Sequence, residues 1–97
     1  MIQQMYQTGP RAQQERRDLA ERELLAGDLA RWAGEAAKAA HAADVEDQRP
    51  NGGRHYTFCC EHARHDADRD MYAFAVALPL ETLRRRHASE LREWKER

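Results

Sequence analysis

The chain has 97 residues, with 16 Lys and Arg against 17 Asp and Glu for a formal charge of −1. That balance excludes the broad basic field of a general nucleic-acid binder and the acidic field of a polyanion mimic. Ala, Glu, Lys, Leu and Arg make up 51 residues and only six are β-branched, so a helical domain is expected and a sheet protein is excluded.

Residues 1–9 are Gln-rich, end at Gly9, and read as a flexible tail with neither the basic nor the apolar part of a secretory signal. Residues 10–97 read as a single helical domain with a loop at 46–54. Pro10 suits the first turn of a helix, where a missing N–H is no loss. From about Ala12 to Ala43 the chain lacks proline and is rich in helix formers, which predicts one long helix. Leu25, Leu29, Trp32, Ala36, Ala39 and Ala43 form an apolar stripe on it, flanked by Asp28–Arg31, Arg31–Glu35 and Glu35–Lys38 at helical spacing.

A second stripe, Gly27, Ala30, Gly34, Ala37 and His41, lies on the other side. It is open to two readings, an exposed face that tolerates small residues or a surface where another helix approaches closely. Some 32 helical residues span roughly 48 Å, whereas a compact chain of this size has a radius of gyration of about 13 Å. The helix is therefore expected either to break near Gly27 or Gly34, or to protrude and find a partner.

The segment Asp47–Gly53 is a connector rich in turn residues. Beyond it, Cys60, Ala63, Ala67, Met71, Phe74 and Leu78 recur at steps of 3, 4, 4, 3 and 4, which predicts a helix with Thr57 as N-cap and Pro79 as its end. The alternative is an α+β fold with a hairpin at about 54–78, although its turn would lack Gly, Pro and Asn. Leu80 to Arg97 is the clearest amphipathic segment, with Leu80, Leu83, His87, Leu91 and Trp94 on one face. The fold class is therefore all-α, one long N-terminal helix and two shorter C-terminal helices in a small bundle.

One cluster carries metal-binding chemistry. His55, Cys59, His62 and Asp66 fall at steps of 4, 3 and 4 on one helix stripe, and all four residue types bind zinc. The ends of that stripe are roughly 16 Å apart on a straight helix, so one ion takes two or three of them, with His65, His41 or His87 completing the shell. The segment His55-x-x-x-Cys59-x-x-His62 is similar to the His-x3-Cys-x2-Cys signature of zinc-containing anti-sigma factors, with His62 at the last cysteine position. The resemblance covers eight residues and implies zinc binding and sigma-factor regulation. Otherwise Cys59 and Cys60 are small hydrophobes, and the histidines are surface neighbours of Asp66 and Arg69. The acidic run Asp66, Asp68, Asp70 is not a calcium loop, since Met71 and Ala77 stand where glycine and glutamate are needed.

No nucleophile constellation or phosphate cradle is present in the sequence. The function expected is a non-enzymatic helical protein–protein interaction module, a regulator or inhibitor of a larger macromolecule. Leu25, Leu29, Trp32, Leu83, Leu91 and Trp94 would carry the packing or contact. A protein partner and a homodimer are expected, no membrane, no bound cofactor unless zinc, and a cytoplasmic location because adjacent cysteines form no useful disulfide. The alternatives are a zinc-binding helical regulator using His55, Cys59 and His62, and a DNA-binding helical protein using patches at Arg16-Arg17 and Arg84–Arg86.

Overall fold

A computed structural model describes residues 9–48 and 53–96, with side chains placed for 9–44 and 60–96. The chain folds into α1 (Pro10–Gln48), α2 (Gly53–Val76) and α3 (Leu80–Lys95), and no strand occurs among the described residues. This is the small all-α bundle expected, and the hairpin at 54–78 is replaced by helix. Residues 1–8 of the expected tail lie outside the described residues.

Helix α1 begins where the Gly9 carbonyl accepts a hydrogen bond from the Gln13 amide at 3.0 Å, with Pro10 in the first position. It continues without a break through Gly27 and Gly34 to Gln48. Residues 46–48 and 53–54 of the expected loop at 46–54 are helical, and its centre, 49–52, lies outside the described residues. Thr57 lies inside α2, which starts four residues earlier than its expected cap.

Helix α2 returns antiparallel along α1, with Cys60 near His41, Glu61 near Lys38 and Arg64 near Gly34. Helix α3 then runs parallel to α1, with Arg84 near Glu21, His87 near Asp28 and Trp94 near Trp32. Between them, the Leu78 amide bonds the Ala75 carbonyl at 3.1 Å and Pro79 starts α3 with φ −56° and ψ 143°. The Arg22 guanidinium donates to the carbonyls of Val76 and Leu78. These are acceptors freed at the end of α2, so α1 itself caps the turn.

The two faces of α1 divide the packing. Ala30 is 2% exposed and Gly34 is buried, so the small-residue stripe is a close-approach surface in this part, though not at Gly27. A Cβ at Gly34 would stand 3.0 Å from the Arg64 carbonyl oxygen and 3.1 Å from Arg64 Cγ. At Gly27 a Cβ would meet nothing within 4 Å, so that glycine costs roughly 1 kcal/mol of helix propensity with no neighbour that requires its missing side chain. On the other face, Leu29, Trp32, Ala26, Ala75 and Leu83 form the core, with Leu25, Met71, Leu91 and Trp94 against it.

The apolar stripe of α2 faces inward through Cys60, Met71 and Leu78, and departs from the inward face at Phe74. Ala75 is fully buried, but Phe74 is 50% exposed, lying under the Arg86 guanidinium at 5.3 Å. The helix is turned toward Arg64, Asp68 and Ala75 because the floor offered by Gly34 lets the α2 backbone and its side-chain stems pack directly.

Candidate functional site

The residues with expected roles fall in two regions. Leu25, Leu29, Trp32, Leu83, Leu91 and Trp94 are gathered where α3 lies on α1. Leu83 is 0%, Leu29 2% and Trp32 7% exposed, so these three have almost no surface left for a second molecule. Trp32 stacks on Trp94 with centroids 6.0 Å apart and sits 5.1 Å from the His87 ring. His87 Nε2 is 2.8 Å from Asp28 Oδ2, and Asp28 also accepts from Arg31 at 3.1 Å. The bidentate Arg84–Glu21 pair, at 2.7 and 2.8 Å, ties the start of α3 to α1. That bond with Arg84 holds the Glu21 carboxyl below its usual range.

The second region is the α1–α2 end that contains the expected metal ligands. The side chains of His55 and Cys59 lie outside the described residues, while His62 and Asp66 are exposed on the outer face of α2. The contact that does form there joins other residues: His41 Nδ1 lies 3.3 Å from Cys60 Sγ, across the two helices. Cys60 is 3% exposed. A thiol and an imidazole at this distance share a hydrogen bond and are chemically fit to be two ligands of a soft cation. No group of three or more possible ligands is gathered among the described residues.

Beside this pair, Glu61 accepts from Lys38 at 2.9 Å and from Arg64 at 2.8 Å. Lys38 first and Arg64 second hold the Glu61 carboxyl down at about 2, and the same contact raises Lys38. The pair fixes the register of α2 on α1, next to the Gly34 approach.

What remains uncovered lies mainly on α1. Ala39 and Ala43, which continue the seam of Leu25, Leu29 and Trp32 beyond the end of α3, are exposed. Leu19 is 54% and Leu24 66% exposed, and the side chains of Arg11 and Glu15 near the start are 94% and 72% exposed. Sequence reasoning missed the Arg22 cap, the His41–Cys60 contact and the exposure of Leu24. Only the His41–Cys60 contact carried a signal, His41 through the small-residue stripe and as a candidate further ligand, Cys60 through the apolar stripe of α2. Among the described residues no helix is long and apolar enough to cross a membrane. Comparison with protein-family models, with curated proteins and with solved structures gave no match.

Proposed function

We propose that this chain is a non-enzymatic helical interaction module that docks on a larger protein partner and regulates or inhibits it. The observation that carries this reading is the length of α1. Its 39 residues outrun α2 and α3, and the molecule measures 71 × 28 × 17 Å. Among the described residues no second helix lies beside the first turns of α1, which lead into Leu19, an exposed leucine on the side where α2 has already ended. A large apolar side chain in that position gains most when a second surface covers it. The same reading places the chain in the cytoplasm, where Cys60 stays a thiol, and has it self-associate.

A photo-crosslinking side chain installed at position 19 tests the reading in extract of the native host. A discrete larger protein that crosslinks there, and is competed away by excess unlabelled chain, is the expected result. Products between copies of the chain alone, or none, contradict docking on a larger partner.

A further inference from the structure

Helix α1 has a third face that neither α2 nor α3 touches. Ala20, Leu24, Gly27 and Arg31 recur on it at steps of 4, 3 and 4, which is one continuous line along a helix. Leu24 is 66% exposed, the Arg31 side chain is 61% exposed, and the Cβ position of Gly27 faces open space. A protruding leucine thus stands one turn from a gap of its own, on the same line.

We infer that this face of α1 binds the same face of a second copy, antiparallel, with Leu24 of each chain seated over Gly27 of the other. This rests on the reading of the chain as a self-associating interaction module and names the surface it uses. Charge supports the choice of a second copy. In an antiparallel pair related by a two-fold axis, residues on the same flank face one another. Seating Leu24 on Gly27 brings Arg17 of each chain beside Glu35 of the other, and both are exposed and on one flank. Ala20 then lies beside Arg31, whose long stem covers it.

In the same register, residues 10–18 of one copy run along residues 33–41 of the other.

Sedimentation equilibrium of the full chain, from low micromolar to submillimolar concentration, reads the outcome. The wild type is expected to reach twice its 11.3 kDa monomer mass. Leu24→Glu is expected to weaken the dimer at least about tenfold while leaving the helical circular dichroism unchanged, since Leu24 is 66% exposed and lies outside the core. Arg17→Glu is expected to weaken it too, and Arg17→Glu with Glu35→Arg to restore it. Gly27→Ala gives a test of sign: it should raise the melting temperature of the dilute monomer and weaken the dimer. A monomer at every concentration overturns the inference, and so does a dimer indifferent to Leu24→Glu and to the charge exchange. Neither result touches docking of a larger partner at Leu19, which the crosslinking at position 19 reads separately.

Discussion

Leu83→Ala is expected to lower the unfolding free energy by about 3 kcal/mol and the Tm by more than about 10 °C. Among the described residues Leu83 is the largest side chain removed completely from solvent, and it sits where α3 meets Leu29 and Trp32. Truncation leaves a cavity among side chains that cannot collapse into it, because Trp32 is already held between Trp94 and His87. A domain of this size has roughly 5–15 kcal/mol in total, so the loss is a large fraction. Leu19→Ala, at an exposed leucine, should change stability by less than about 0.5 kcal/mol. Thermal unfolding followed by circular dichroism checks both. A Leu83→Ala protein as stable as wild type would show that α3 does not rest on α1 through this residue.

Gly34→Val is expected to destabilise by about 2 kcal/mol, in the opposite direction to Gly27→Ala. The two glycines occupy the same stripe of the same helix, yet only Gly34 has α2 against it. A β-branched side chain there meets the Arg64 carbonyl at the Cβ itself, so the helices must part. Arg64→Ala should not rescue Gly34→Val, because the nearest obstacle is backbone and not the arginine side chain. Separation of α2 would also open the His41–Cys60 contact, making the reaction of Cys60 with a thiol reagent faster than in the wild type. Equal stability of Gly34→Val and wild type would place α2 on some other face of α1.

The fold was legible to the extent that one face of each helix does one job. On α3 the line Leu80, Leu83, His87, Leu91 and Trp94 is the face turned to the core, since α3 packs chiefly on α1. Helix α1 defeats that reading because it serves two partners. Its large residues go to α3, and its glycine and alanines go to α2. The rotation of α2 followed from this. Periodicity marked Phe74 for the interior, but close approach at Gly34 favours contact through backbone and through the stems of Arg64 and Asp68. Hydrophobic patterning ranks side chains by their transfer from water and does not register how near two backbones can come.

The candidate site was legible in composition only. Histidine and cysteine do meet at the α1–α2 end, but the pair that forms is His41 with Cys60, 19 residues apart in sequence, and local spacing cannot reveal a contact made by chain reversal. The Arg22 bonds to Val76 and Leu78 are of the same kind. An arginine among many exposed ones has no distinguishing pattern until the turn arrives beside it.

The continuity of α1 through both glycines underlies its bare faces, the Leu24–Gly27 line and the reach of Leu19. Dipolar spin–spin spectroscopy measures it, with labels on unnatural side chains at positions 11 and 44 and labelled chain diluted into unlabelled. The 33 intervening steps of an unbroken helix give one narrow distance near 50 Å, at about 1.5 Å per residue. A distribution centred below about 40 Å would mean that the helix bends back at a glycine, and the extended face described here would not exist.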